Sequence, residues 1–428
     1  MSNRTQETKW RRLDNTAKLF PVITDESLSN VFRVSATLKE EIVPEILQEA
    51  LEEIIVWFDG FNVRLRRGFF WYYFETNKKV PRVEEESTYP CKFIDPQSNQ
   101  QFLFRVSYYK KRINFEVFHA ITDGMGAMNF LKELTYHYID LKKAQERGEK
   151  ITLRPSRDCI LDIEDSYLKN YKKVPNKPYK NKRAYQLNGD LLYLDTTSVI
   201  HGYINLNELK SKCKSKGISI TKYLTSVLIW CIYNEYMNKQ ENEDPISINV
   251  PINLRGFFDS TTTMNFFAVS SIEFFSKGCD HTLEEIIDIV SNQMDRNVAK
   301  EKLEEIISYN VSNEKKALIR FTPLALKYII LQIIYRRVSR GNTMTLSNLG
   351  NINVLPEYED DIENFHFIIG VSKKQKMKCG VSSYKDKLEV SFTSVLADPY
   401  LQRAFFRTLS KEGISVTIES NGVINEKM

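Results

Sequence analysis

The chain has 428 residues, more than a single hydrophobic core usually serves, so two domains or subdomains are expected. Apolar residues make up 42% and aromatic residues 12% of the sequence, which is enough for a large packed interior and excludes global disorder. With 60 basic and 55 acidic residues interspersed, the formal net charge is only +5, and nothing in it favours a nucleic-acid partner.

The cysteines and the apolar runs predict a cytoplasmic protein without a transmembrane segment. The six cysteines lie far apart and form no CxxC pair, which favours free thiols over a zinc site or a disulfide framework. The N-terminal residues around Trp10 are basic and lack the apolar core of a signal peptide. The most apolar run, at 321–338, contains Lys327 and Gln332, so it predicts a buried or surface-lying helix and not a membrane span.

The first part of the chain predicts a strand, a helix and four more strands. Residues 31–38 alternate in part between apolar and polar side chains, which is typical of a strand. Pro44 opens a pattern of apolar residues spaced by three and four, which indicates a helix that is buried on one face and ends at Asp59-Gly60. Four runs rich in aromatic or apolar residues then suit strands: 61–65, 69–74, 102–109 and 112–118.

A change of composition follows the next predicted helix, at 125–141. Residues 142–190 hold prolines, asparagines and a cluster of lysines and tyrosines, which indicates a long irregular connection. A loop of that length is unusual inside one compact domain, so we place a boundary there. The predicted organisation is an N-terminal half at 1–145, a crossover linker at 146–190 and a C-terminal half at 191–428.

The C-terminal half again mixes strands with helices. A strand at 198–206 leads into a short helix that Gly217 ends, and Ser219 or Thr221 can cap the helix after it. Further helices are predicted at 283–290, 303–307, 322–338 and 399–409, and further strands at 246–254, 266–274, 343–346, 365–371, 379–384 and 388–395. The predicted fold class is α/β or α+β with two comparable halves.

One short motif lies at a strand-to-helix turn. His119, Asp123 and Gly124 follow the strand at 112–118 and precede the helix at 125–141. Histidine can take and return a proton near neutral pH because its unperturbed pKa is about 6.5. Gly124 lets the backbone turn sharply into the helix. The alternative is a satisfied core histidine followed by an aspartate that caps the helix, and periodicity alone favours that alternative.

Several stretches together resemble the chloramphenicol acetyltransferase-like superfamily, which includes peptide-synthetase condensation domains, plant-type hydroxycinnamoyl transferases and alcohol acetyltransferases. His119-xxx-Asp123-Gly124 resembles its HxxxDG signature. The resemblance covers nearly all of the chain, and the Trp10 region fits the alcohol acetyltransferase branch best. The other stretches are Gly217-Ile218-Ser219-Ile220-Thr221, Val250-Pro251-Ile252-Asn253-Leu254-Arg255, Met264-Asn265-Phe266-Phe267 and Thr345-Leu346-Ser347-Asn348-Leu349-Gly350.

The resemblance implies a fold and a set of roles. It implies two similar halves, each a mixed β-sheet with flanking helices, and an active-site channel between them. His119 would be the general base that lets an acceptor hydroxyl or amine attack a thioester directly, without an acyl-enzyme. Asp123 would be structural and would pair with Arg255 across the two halves. Ser347 and Asn348 are candidate donors to the oxyanion, although a simple strand-end turn explains that stretch about as well.

No tightly bound cofactor and no metal site are expected. The donor substrate would be an acyl-CoA or a phosphopantetheine thioester, and the acceptor a small alcohol or amine. Residues 167–183, rich in lysine and tyrosine, could contact the CoA phosphates, but a solvent-exposed crossover is the commoner explanation. His201 and His366 have no cysteine or histidine beside them at metal-ligand spacing.

Three departures from the superfamily narrow the expected activity. Phe118 stands where condensation domains usually carry a second histidine, and Met264 stands where the family has a glycine. The Asp-Phe-Gly-Trp-Gly pentapeptide of the plant branch is absent. The chain is therefore expected to be a free-standing O- or N-acyltransferase. Two alternatives stay open: a condensation-type enzyme that uses a carrier-protein thioester in peptide or natural-product synthesis, with an acyl or peptidyl carrier protein as partner, and a catalytically inactive binding protein.

Overall fold

The computed structural model describes residues 8–175, 182–193, 196–278, 280–372 and 374–422. These ranges form mixed α/β structure with three sheets, which confirms the predicted class. Residues 176–181 of the predicted crossover and Cys279 lie outside the described residues. The five cysteines within them are free thiols.

The first large sheet belongs mainly to the N-terminal part of the chain. Its strands are β2 (Val31–Leu38), β5 (Val83–Glu85), β6 (Phe104–Tyr109), β7 (Arg112–Phe118) and β12 (Ile362–Ile369), in the order β12-β2-β7-β6-β5. The sheet is antiparallel except for the parallel pair β5–β6, and Val31 lies opposite Phe118. A small sheet beside it contains β1 (Trp10–Arg12), β3 (Val63–Arg67) and β4 (Tyr72–Thr76).

The second large sheet belongs to the C-terminal part of the chain. Its strands are β8 (Ser198–Asn205), β9 (Ile246–Asn253), β10 (Phe267–Phe274), β11 (Met344–Asn351), β13 (Met377–Tyr384), β14 (Lys387–Ser394) and β15 (Val416–Ser420), in the order β10-β9-β11-β13-β14-β8-β15. Strand β11 runs parallel to both of its neighbours, and the other pairs are antiparallel. Each large sheet is therefore mixed.

Helices cover these sheets and bury their apolar faces. They are α1 (Phe20–Ile23), α2 (Pro44–Ile55), α3 (Gly124–Arg147), α4 (Ser166–Lys169), α5 (Leu206–Ser215), α6 (Ile220–Glu235), α7 (Arg255–Phe258), α8 (Leu283–Asn297), α9 (Lys300–Lys315), α10 (Ala317–Phe321), α11 (Leu324–Val338) and α12 (Tyr400–Lys411). The apolar spacing of three and four places Ile46, Leu47 and Leu51 of α2 in the first core, as the sequence predicts. A separate core forms around α6 and the second sheet.

One strand from the C-terminal part of the chain joins the first sheet. Strand β12 pairs antiparallel with β2, and Phe365 and Phe367 enter the first core. The two sheets are therefore linked by a strand as well as by the connection after α3. No helix in the described ranges is long and apolar enough to cross a membrane.

The sequence-based prediction places the end of β11 too early. The predicted strand stops at residue 346, whereas the backbone continues to pair with β13 as far as Asn351, with an irregularity after Asn348. The apolar run ends early because the last residues of the strand are small or polar. Ser347 and Asn348 thus lie within a strand and not at its end.

Candidate active site

His119 lies at the end of β7, on the turn that leads into α3. Its backbone N–H donates to the Asn30 carbonyl at 2.9 Å, which holds the turn against the start of β2. The imidazole is half-buried among three aromatic rings. Phe20 stacks on it with centroids 4.6 Å apart and 14° between the planes, Phe32 meets it edge-on at 5.0 Å, and Phe267 lies 5.5 Å away.

Asn265 fixes the protonation state of the two ring nitrogens. Its Nδ2 donates to the His119 carbonyl at 3.0 Å and to Asp14 Oδ2 at 3.1 Å, so its Oδ1 faces His119 Nδ1 at 3.0 Å. A carbonyl oxygen can only accept, and Nδ1 must therefore carry the proton. Nε2 of the neutral ring is left with its lone pair, as a general base requires.

Burial lowers the pKa of the His119 imidazole below its ordinary value of 6.5. The nearby Asp123 carboxylate and the hydrogen bond with Asn265 oppose that effect, while the positive charge of Lys378 adds to it. The net result is a neutral imidazole near pH 7.

Asp123 is held by the backbone and by Arg255. Its Oδ1 accepts from the N–H groups of Met125 and Gly126 at 3.2 Å and so caps α3, and its Oδ2 accepts from Phe266 N at 3.0 Å. Two guanidinium nitrogens of Arg255 reach the two carboxylate oxygens at 2.9 and 3.0 Å. Within the described residues no hydrogen bond joins Asp123 to His119. The carboxylate therefore fixes the turn.

Arg255 also holds the loop that carries Asn265. Its Nε donates to the Thr262 carbonyl at 2.8 Å, and one of its terminal nitrogens donates to the Met264 carbonyl at 2.7 Å. The arginine lies just after β9 and the aspartate just after β7, so this bidentate pair joins the two large sheets next to His119.

Gly124 and Gly126 allow close packing at the start of α3. A Cβ atom on Gly124 would overlap the Leu349 side chain, and one on Gly126 would overlap Thr122 and the backbone of Thr263. The sequence motif includes Gly124 but gives no reason to single out Gly126. The requirement at Gly126 comes from a loop that is distant in sequence.

Ser347 and Asn348 point to opposite faces of β11. Asn348 Nδ2 donates to Thr221 Oγ1 on α6 at 3.0 Å, and its Oδ1 accepts from Gly350 N at 2.8 Å. Its amide is thus engaged on the helix side of the sheet. Ser347 lies on the other face, because strand residues alternate. Neither side chain is hydrogen bonded to His119 within the described residues.

Solved structures with the same architecture span almost the whole chain. A trichothecene 15-O-acetyltransferase from Fusarium sporotrichioides superposes with a TM-score of 0.62 at 10% identity, over 96% of this chain and 95% of that one. A wax ester synthase/diacylglycerol acyltransferase from Marinobacter aquaeolei VT8 gives 0.54 at 12% identity, over 94% and 100%. The starter condensation domain of rhizomide synthetase, a mutant in complex with C8-CoA and Leu-SNAC, gives 0.57 at 11% identity, over 94% of each chain.

This chain has the chloramphenicol acetyltransferase-like fold. No protein-family model and no curated protein matches the sequence. In this fold, the sequence-predicted His119, Asp123, Gly124 and Arg255 come together at the turn between β7 and α3.

Two residues beside the site in this chloramphenicol acetyltransferase-like fold were not predicted from the sequence. Burial raises the pKa of Asp14, the partner of Asn265, to about 7. Burial lowers the pKa of Lys378 on β13 to about 8, and the lysine has no ion-pair partner in the described part of the chain. Lys378 is paired with Thr345, so it shares a sheet face with Ser347. Asp14 lies near Trp10 in the sequence and Asn265 in the stretch Met264-Asn265-Phe266-Phe267, but spacing gives no sign that they meet.

A second polar cluster lies between the two large sheets. His201 Nδ1 and His366 Nδ1 approach the same oxygen of Glu389, at 2.6 and 3.0 Å. Burial would raise the pKa of Glu389, but the two histidines outweigh it and hold that pKa well below its usual range. These residues are the one group of three potential metal ligands in the described ranges, and three distant strands assemble it. Lysines 39, 110, 111, 385 and 387 line the adjacent cleft and disfavour a cation there.

Proposed function

We propose that this protein is an acyltransferase that moves an acetyl or other acyl group from a thioester to a small alcohol or amine. The observation that supports this most is the state of His119: Asn265 occupies Nδ1, and Nε2 is left as a neutral base. The engagement of Asp123 with Arg255 adds support, because it removes Asp123 as a competing base beside His119.

The proposed reaction is a direct transfer. The acceptor oxygen or nitrogen forms a bond to the thioester carbonyl carbon while His119 Nε2 takes its proton, and the carbonyl π electrons move onto oxygen. Those electrons return as the C–S bond breaks, and the proton on Nε2 passes to the leaving thiolate. An ester or amide and a free thiol result, and His119 is neutral again.

Ser347 and Lys378 are the proposed partners of the negative charge that develops on the carbonyl oxygen. They share one face of the second sheet, and Gly380, paired with Ser347, packs on that face against Phe367 of the first sheet. The charge of Lys378 also lowers the pKa of His119. A positioned donor to an oxyanion is typically worth about 2.7–4 kcal/mol. We do not include Asn348, because its amide faces α6.

The proposed donor is an acyl-CoA. The rhizomide synthetase domain of the same fold was solved with C8-CoA, and a Fusarium sporotrichioides protein of this fold, 10% identical to this chain with a TM-score of 0.58, was solved with coenzyme A and T-2.

A thiol-release screen tests the proposal. Acyl-CoAs of increasing chain length are incubated with alcohol and amine libraries. The released thiol is measured with a colorimetric reagent and the acylated product by mass spectrometry. We expect one acceptor class to give both the thiol and the acylated product. Release that requires the same acyl group on a phosphopantetheinyl carrier protein would indicate a condensation-type enzyme. Binding of acyl-CoA without turnover of any pair would indicate an inactive binding protein.

A further inference from the structure

Helix α11 (Leu324–Val338) exposes apolar side chains and buries polar ones, the reverse of an ordinary surface helix in water. Its two buried residues are Leu324 and Lys327. Lys327 Nζ donates to the Phe70 carbonyl at 2.9 Å, and Gln332 Nε2 donates to the Val22 carbonyl at 2.6 Å. The polar side chains in the middle of the helix thus point toward the protein.

Most of the apolar side chains of the same segment face outward. They form one surface with α10 (Ala317–Phe321), the short helix before α11, and we call it the α10–α11 surface. Single exposed apolar residues are ordinary on a protein, whereas a contiguous set marks an interaction site. Its most prominent members are Leu318 (84% exposed), Phe321 (63%), Ile329 (57%), Leu326 (51%), Ile333 (49%) and Ile334 (48%).

Positive charge flanks this surface along the chain. Residues 315–356 contain no acidic residue, and the basic side chains that flank the exposed isoleucines include Arg320, Arg336, Arg337 and Arg340. Glu314 lies at the edge, but it pairs with Lys18. Asp25 is an acidic residue close to α11, where its charge acts on Tyr335. Apolar side chains flanked by arginines are typical of a surface that lies on anionic lipid headgroups.

A second copy of the chain fits this surface less well. Two such surfaces placed face to face would bring arginines against arginines, and like charges across an interface are repulsive. An anionic bilayer offers both an apolar interior and the opposite charge. The charge pattern therefore favours lipid over a self-association interface.

The surface also lies one short helix from His119. Gln332 joins α11 to α1 (Phe20–Ile23), and Phe20 of α1 stacks on the imidazole. A cavity of about 1030 Å³ is bordered by Phe70, Arg320 and Phe321 at the edge of the same surface.

We propose that the α10–α11 surface docks this protein on anionic membranes. Docking does not depend on the proposed acyl transfer, so its test needs no substrate.

Vesicle sedimentation of the full chain tests the proposal. We expect the protein to bind phosphatidylcholine vesicles that contain phosphatidylglycerol. Binding to vesicles of phosphatidylcholine alone should be weaker by about fivefold or more. The I329D/I333D variant should lose binding, with an unchanged circular-dichroism spectrum because both side chains are exposed. I418D is the matched control, since Ile418 is 53% exposed on β15, and it should bind as the wild type does.

Two further results separate lipid from the alternatives. The R336E/R337E variant should lose the preference for anionic vesicles while it keeps the folded spectrum. The proposal is overturned if wild type and I329D/I333D bind vesicles equally. It is also overturned if no vesicle binds and light scattering shows self-association that I329D/I333D abolishes, because a second copy would then cover the surface.

Discussion

The His119 imidazole is held at Nδ1 and on its faces, and only Nε2 is left for a substrate. Asn265 sets the tautomer, Phe20 and Phe32 limit the tilt of the ring, and burial lowers its pKa. Each of these contacts has a measurable consequence for a reaction in which His119 removes a proton.

The pH dependence of kcat/KM should follow the ionisation of His119. Only the neutral imidazole can accept a proton, and its pKa lies below 6.5. We expect kcat/KM to stay constant from neutral pH to below 6.5 and then to fall as the pH drops through the pKa of His119 in the folded protein. A profile measured over roughly pH 5 to 8 checks this. A fall that begins above 6.5 would contradict the lowered pKa.

Lys378→Met should move that acid limb to higher pH. The lysine charge disfavours the imidazolium, so its removal raises the pKa of His119. We also expect a lower kcat if the ammonium group contacts the oxyanion. Lys374→Met, at an exposed lysine close by in sequence, is the matched control and should leave the profile unchanged. If the acid limb of the kcat/KM profile did not shift in Lys378→Met, the charge of Lys378 would not act on His119.

Asn265→Ala should lower kcat by about tenfold or more. Without the amide, Nδ1–H loses its partner and the proton is free to move to Nε2, which is the wrong nitrogen for a base. KM should change little, because Asn265 is proposed to position the ring and not the substrate. A variant with reduced thermal stability but unchanged kcat would indicate a purely structural role.

Helix α3 begins where two sheets meet, and Asp123 serves as its cap and as the partner of Arg255. The capping role alone follows from local sequence, since aspartate is favoured at the N-cap position. The ion pair depends on the end of β9, more than a hundred residues later.

Asp123→Asn should destabilise the protein as well as reduce its activity. The substitution leaves the Arg255 guanidinium with a neutral partner in a nearly buried position, and breaking a buried pair from one side costs about 3–5 kcal/mol. Asp165→Asn is a control, because Asp165 caps α4 by accepting from Leu168 N. Thermal unfolding of both variants checks the difference. An unchanged melting temperature with lost activity in Asp123→Asn would place Asp123 in the chemistry.

The helices and strands whose limits depend on local periodicity are the ones that the sequence predicts correctly. Strand β2 and strand β7 match their predicted ranges, and Ser219 is the cap of α6, as expected. Strand β11 is longer than predicted because its continuation depends on pairing with β13. The β1 strand and the short α7 helix escape notice because three or four residues carry no periodic signal.

On the scale of the whole molecule, segments that are distant in sequence come into contact, and residue spacing in the sequence does not predict these contacts. His119 was predicted as the base through family resemblance, whereas the effects of Asn265, in the loop before β10, and of Lys378, on β13, required the structure. The same applies to His201, His366 and Glu389, which lie on three different strands. Sequence predicted a surface-lying or buried helix at 321–338, but not that its apolar side would face outward.

The most direct test of the central claim compares wild type with His119→Ala in the thiol-release assay, using the best donor and acceptor from the screen. We expect release to fall by roughly a hundredfold to ten-thousandfold, the usual contribution of a general base, with an unchanged melting temperature. Thiol release by His119→Ala at the wild-type rate would contradict the account.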